Sequence, residues 1–144
     1  KNHQIPQDYA EMLGWRELAS KVDKAFKSVK DPEKTLVLCD NYGQAGAINY
    51  YTKYDINAVS FDADYVNWFN LQKQYTTIIR IKNRQERETE FIETSPHFES
   101  VVILDSVTNK YAREFGTTIF IFQDSKVDIN QRIKEELNEI INYR

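Results

Sequence analysis

The apolar positions of this chain change period along its length, and each change marks an element. Trp15, Leu18, Ala19, Val22 and Phe26 recur at steps of three and four with Arg16, Glu17, Lys21 and Lys24 between them, the pattern of an amphipathic helix packed on a flat surface. Ahead of it, Tyr9, Met12 and Leu13 supply an apolar face that Gly14 is expected to interrupt. Ile5-Pro6-Gln7-Asp8-Tyr9 reads as an extended entry, with Asp8 placed to cap that helix. Asp31-Pro32-Glu33-Lys34 makes a polar turn. Leu36-Val37-Leu38-Cys39 is a continuous apolar run, as in a strand buried on both faces. It ends in Asp40-Asn41-Tyr42-Gly43, and a helical segment through Ala45, Ala47, Ile48 and Tyr51 follows. Further strands are expected over 58–61, 76–81, 101–104 and 117–122, the last three rich in β-branched residues. Asp62 or Asp64 caps a short helix bearing Tyr65, Trp68 and Phe69, and the charged stretch 84–91 forms a short helix or lid. Asp128 caps a last helix over 128–144, with Ile129, Ile133, Leu137 and Ile140 or Ile141 on one stripe. Helices alternating with buried strands predict one α/β domain. Its architecture is expected to be a three-layer, open, mostly parallel, Rossmann-like sheet of about five strands flanked by helices. The stretch 105–116 leaves open an antiparallel pair at the sheet edge.

Composition narrows the class. With 144 residues, 41% of them hydrophobic and 13% aromatic, the chain is too apolar for intrinsic disorder and long enough for one core. Nineteen Lys and Arg against 22 Asp and Glu leave a net charge of −3, which offers no electrostatic reason to expect a nucleic acid or an anionic membrane as partner. One Cys excludes an internal disulfide. One Cys and two His also fall short of the four ligands of a closed zinc site, so neither metal nor cofactor is expected. No apolar run reaches the length of a membrane span. The chain begins Lys1-Asn2-His3 and its only methionine is Met12, the expected appearance of an excised or processed segment.

The turn at 40–46 is the best candidate for chemistry. In open α/β sheets, ligands bind beyond the carboxyl ends of the strands, and helix N-termini attract anions. Gly43 and Gly46 give only a G-x-x-G spacing, so neither the dinucleotide fingerprint nor a P-loop is present. The glycines equally suit a tight turn and close packing. Cys39 ends a buried strand and reads as a core thiol; His97 follows Pro96 in a solvated turn. Asp40, Asp62, Asp64 and Asp105 fall near strand ends, where paired carboxylates do acid–base work if they converge and cap helices if they do not. Tyr42, Tyr50, Tyr51, Tyr54, Tyr65, Trp68 and Phe69 crowd the stretch after the first strand, and aromatic faces of this kind stack on sugar rings or on a partner.

Two blocks add a resemblance. Gln7-Asp8-Tyr9-Ala10-Glu11-Met12-Leu13-Gly14-Trp15 and Asn41-Tyr42-Gly43-Gln44-Ala45-Gly46-Ala47-Ile48, with a later Asn109-Lys110-Tyr111-Ala112-Arg113-Glu114 turn, resemble the C-terminal soluble region of bacterial membrane glycosyltransferases. These are the dolichyl-phosphate-mannose protein mannosyltransferase-like group of GT-C architecture, and the similarity spans nearly the whole chain. Gln44 and Asn49 stand where that pattern carries acidic residues, Thr52 where Gly is common, and the 60–69 stretch keeps Trp68 but lacks a histidine. The resemblance implies a polytopic parent in the cell membrane that transfers sugar from a polyprenyl-phosphate donor, with this segment on the periplasmic, extracytoplasmic side. It also implies a catalytic acid in a loop between early membrane helices, outside this sequence. The segment by itself is then expected to carry no catalytic residue. It would bind an acceptor glycan or lipid-linked sugar, or pack on the membrane part, through Asp40, Asn41, Tyr42, Gly43, Gln44, Gly46, Tyr65 and Trp68. The competing expectations are a free-standing small α/β enzyme using a rim of Asp40, Asp62 and Asp105, and a purely structural interaction domain.

Overall fold

The computed structural model describes residues 4–110 and 112–142. His3, Tyr111 and the last two residues of the C-terminal helix expected above lie outside them, as does the side chain of Asp105. Four helices, α1 (Gln4–Ser28), α2 (Tyr42–Tyr51), α3 (Arg87–Thr94) and α4 (Ile129–Asn142), flank five strands: β1 (Thr35–Cys39), β2 (Ala58–Ser60), β3 (Thr77–Lys82), β4 (Phe98–Ser106) and β5 (Thr118–Ser125). The strands form one open sheet in the order β2-β1-β3-β5-β4. β1 pairs in parallel with β2 and with β3, whereas β5 runs antiparallel to both β3 and β4.

The sheet is therefore mixed, parallel through β2-β1-β3 and antiparallel around β5, and the expectation of a mostly parallel sheet is corrected to that extent. The cause is chain length. A parallel crossover needs a dozen or more residues, usually with a helix, and the connection from Ser106 to Thr118 has no helix. β5 must turn back beside β4. The chain from β3 through α3 to β4 has skipped one strand position, and β5 fills it.

Each face of the sheet buries its own cluster. On one side α1 and α2 place Leu18, Val22, Ala25, Ala45 and Ile48 against Val37, Cys39, Ile79, Ile81, Ile119 and Ile121. On the other, Ile129 and Ile133 of α4 meet Leu36, Leu38, Phe120 and Phe122. β3 shows the alternation plainly: Ile79 and Ile81 are fully buried toward α1, while Arg80 and Lys82 point to the second face. Asp128 caps α4 as its position suggested, accepting from the Gln131 N–H at 3.0 Å. Ile141 nevertheless stays exposed, because the sheet ends before the helix does.

Two sequence expectations fail in α1. The helix begins at Gln4, so Asp8 is not its cap and residues 5–9 are not extended; Pro6 is tolerated because first-turn N–H groups have no intrahelical partner. Nor does Gly14 break the helix, which runs through it to Ser28. The residue is glycine because of what lies opposite. A Cβ there would sit 2.6 Å from the Ala112 Cβ, closer than two methyl groups can pack. Gly14→Ala should thus lower stability by about 1–2 kcal/mol even though alanine is the better helix former. Ala112→Gly in the same chain should recover most of the loss in denaturant-unfolding midpoints, and additivity of the two changes would show that the contact is not the cause.

Candidate functional site

β1 leads through α2 to β2 on one side, and β3 lies on its other side. The crevice between the ends of β1 and β3 is therefore the topological switch point of the parallel strands, where ligands of open α/β sheets bind. Asp40 sits at its base. Its carboxylate accepts from Lys82 Nζ at 2.7 Å, from the Asn83 N–H at 2.7 Å and from Arg80 Nη2 at 3.2 Å. Glu90 of α3 approaches the same two cations at 3.6 and 3.7 Å. Both Asp40 oxygens are thereby committed to joining β1 to β3, and the carboxylate is not free to act as a base or a metal ligand. Among the described residues no group of three or more His, Cys, Asp or Glu is placed to hold a metal ion.

Asn41 caps α2, its side-chain oxygen accepting from the Gln44 N–H at 2.9 Å. Gln44 is completely buried. Its oxygen accepts from the Asp40 N–H and its nitrogen donates to Glu114 Oε1, both at 2.9 Å. Thr117 Oγ1 donates to the same Glu114 oxygen at 3.2 Å. One amide thus joins the end of β1, the start of α2 and the β4–β5 connection.

That connection is clamped from two other directions. Glu17 of α1 accepts from Thr108 N–H at 2.9 Å and Oγ1 at 2.6 Å, and from the Asn109 N–H at 3.3 Å, while Lys21 lies 2.8 Å away. Burial by itself would raise the Glu17 pKa. The bonds from Lys21, Thr108 and Asn109 outweigh it and hold the carboxyl at about 2. Arg87 of α3 donates to the Gly116 carbonyl and to Thr118 Oγ1, each at 3.2 Å. Gly116 itself adopts φ +84°, where a side chain is strained and would also strike Arg84.

These clamps enclose a polar cavity of about 260 Å³ lined by Asn41, Gln44, Asn83, Arg84, Gln85, Lys110, Arg113, Glu114 and Thr117, with Phe115 below the Arg84 guanidinium at 5.5 Å. It is smaller than the roughly 300–1,000 Å³ of drug-sized sites and suits one small polar group such as a single sugar ring. Its walls offer amides, guanidinium groups, the Lys110 ammonium and one carboxylate, Glu114, which is engaged by Gln44 and by the Thr117 hydroxyl. The arrangement can bind and orient a small polar group. A larger groove of about 950 Å³ lies between α4 and the second face, floored by Leu36, Leu38, Ile78 and Phe122 and reaching Arg80 and Glu90.

Of the expected site residues, Asn41 and Gln44 line the cavity and Asp40 supports it from beneath. Tyr42 is exposed and outside its lining. Gly43 faces the indole of Trp15 on α1, and Gly46 faces the Tyr65 hydroxyl, so both glycines serve close packing. Tyr65 pairs with Trp68 at 5.6 Å between ring centroids. The Trp68 carbonyl accepts from Asn57 beside the start of β2, which places the pair along the β2 edge and apart from the cavity. Asn83, Arg84, Lys110 and Arg113 were not foreseen in the site. Cys39 is a core thiol whose pKa burial pushes far up.

Gln44→Glu would set a second carboxylate against Glu114. The pair should retain a proton, so the variant should lose about 2 kcal/mol of stability near pH 7 and recover part of it as pH falls toward 4. Glu17 titrates in the opposite sense. Its depressed pKa adds stability above the ordinary value of 4.5, and that stability disappears as pH falls toward 2. Glu17→Gln should therefore unfold more readily than the parent chain at pH 6, by about 1 kcal/mol once solvent screening of this surface pair is counted, with the gap in urea midpoints closing below pH 4.5. Comparison with protein-family models, with curated proteins and with solved structures finds no match for this chain.

Proposed function

We propose that this chain is the extracytoplasmic soluble domain of a polytopic membrane glycosyltransferase that draws sugar from a polyprenyl-phosphate donor. In this reading the domain positions the acceptor and the catalytic acid belongs to the membrane part. The sheet is then a Rossmann-like half, β1-α2-β2 with β3 beside β1, extended by an antiparallel pair.

One observation carries the reading. The three sequence blocks that bear the resemblance are far apart in the chain, and they meet at one place. Gly14 of the first block packs on Ala112 of the third, Trp15 of the first packs on Gly43 of the second, and Gln44 of the second bonds Glu114 of the third. Blocks that were only framework would have no reason to converge on the rim of a polar cavity at the switch point. The commitment of Asp40 to Arg80, Lys82 and Asn83 also speaks against the free-standing enzyme with a carboxylate rim.

The test joins sequence to assay. The reading frame upstream of Lys1 should encode many hydrophobic spans, and their absence would end the proposal. The isolated chain should transfer no sugar from a polyprenyl-phosphate sugar to any acceptor. The parent carrying Arg84→Ala should keep its donor-binding affinity and show an acceptor KM raised at least several-fold; an unchanged acceptor KM would remove the cavity from the mechanism.

A further inference from the structure

The net charge of −3 conceals an uneven distribution. A groove of about 630 Å³ between α1 and the end of α2 is lined by Arg16, Lys21, Lys24 and Lys27 from α1, by Lys53, and by Tyr51 and Tyr54. Its one acidic lining residue is Asp23, whose carboxylate is turned inward, accepting from Thr52 Oγ1 and from the Lys53 N–H. Lys21 is occupied with Glu17 and the Ser106 carbonyl. The ammonium groups of Lys24, Lys27 and Lys53 form no ion pair or hydrogen bond with any described residue, and all three side chains are exposed. Arg16 lies over the Tyr51 ring at 5.2 Å, still open to solvent. Asp55, two residues beyond Lys53, belongs to a different cavity.

We infer that this face docks on a membrane surface bearing anionic headgroups. Arg16, Lys24 and Lys27 fall on one stripe of α1, about 16 Å long at the helical rise, and Lys53 stands across the groove from them. Unpaired cations on one face of a chain whose net charge is −3 are complementary to a phosphate-rich plane, which attracts that face. The tyrosines agree with a bilayer in particular. Tyr50 is 80% exposed and Tyr54 41% exposed beside the same groove, and amphipathic rings of this kind favour the headgroup level of a bilayer. The inference stands on charge placement and is independent of the sugar-transfer reading, because it concerns the isolated chain.

The experiment is cosedimentation of the whole chain with vesicles. Binding should appear with vesicles of one third phosphatidylglycerol in phosphatidylcholine, vanish with phosphatidylcholine alone, and be lost in 0.5 M salt. Lys24→Gln/Lys27→Gln/Lys53→Gln should weaken partitioning by about a hundredfold with the circular dichroism spectrum unchanged. Equal binding by that triple variant would overturn the inference. So would binding to a single-stranded oligonucleotide without binding to vesicles, or displacement from vesicles by millimolar inorganic phosphate, which would indicate a single-phosphate pocket in place of a surface.

Discussion

The connection between β4 and β5 crosses the ends of the parallel strands, and its position is decided by side chains that reach it from distant parts of the chain. Its own backbone supplies a few closing bonds, among them Val107 N–H to Thr117 O and Gly116 N–H to Val107 O. Everything else comes from outside: Glu17 from α1, Gln44 from α2 and Arg87 from α3. Gln44 is the most constrained of the three. A fully buried amide is tolerable only if both its oxygen and its nitrogen are bonded, and Asp40 and Glu114 meet that condition from opposite sides. Among the described residues no buried side-chain nitrogen or oxygen lacks a partner. The cavity exists because these bonds hold the connection off the strand ends at a fixed height, and Gly14 follows from the same closeness.

Most of the elements were readable because burial imposes a period. The α1 stripe, the continuous run of β1 and the alternation of β3 all record which faces are covered, and all were placed within a few residues. What the period does not record is pairing. Nothing in Thr118 to Ser125 says that β5 lies between β3 and β4; that follows from the shortness of the connection. Helix continuity at Gly14 was misread because helix propensity is local and the contact with Ala112 is 98 residues away. The site was half legible for the same reason. Asn41 and Gln44 belong to a strand–turn–helix with its own spacing, whereas Arg84, Lys110 and Arg113 stand on loops with no period. Trp68 was grouped with the strand ends because it is aromatic and near in sequence, but the 3-10 turn over Ala63–Trp68 carries it back along β2.

Charge divides the same way between what a sum reveals and what placement reveals. Asp40, Arg80, Lys82 and Glu90 neutralise one another at the end of the central strands, with both cations 13% exposed. Glu17 and Lys21, four residues apart on α1, do so on the opposite face of the sheet. Groups paired in this way enter the count of charges but cancel in the net charge and add little to the outer field. The lysines left over on α1 are the ones a partner would meet, so a total of −3 says little about the sign of any one face.

The two amides that stand where the resembled pattern carries acids are each matched to their surroundings. Asn49 donates to the Ala58 carbonyl at 2.9 Å and accepts from the Ala58 N–H at 2.8 Å, completing both backbone groups at the start of β2. A carboxylate has no donor and would face that carbonyl without a bond. Gln44 is bound by the same logic, since its nitrogen faces the Glu114 carboxylate. An acid at position 44 would require a donor in place of Glu114, or a shared proton. At the cavity wall Gln44 therefore presents a neutral amide, beside the cationic groups of Arg84, Lys110 and Arg113.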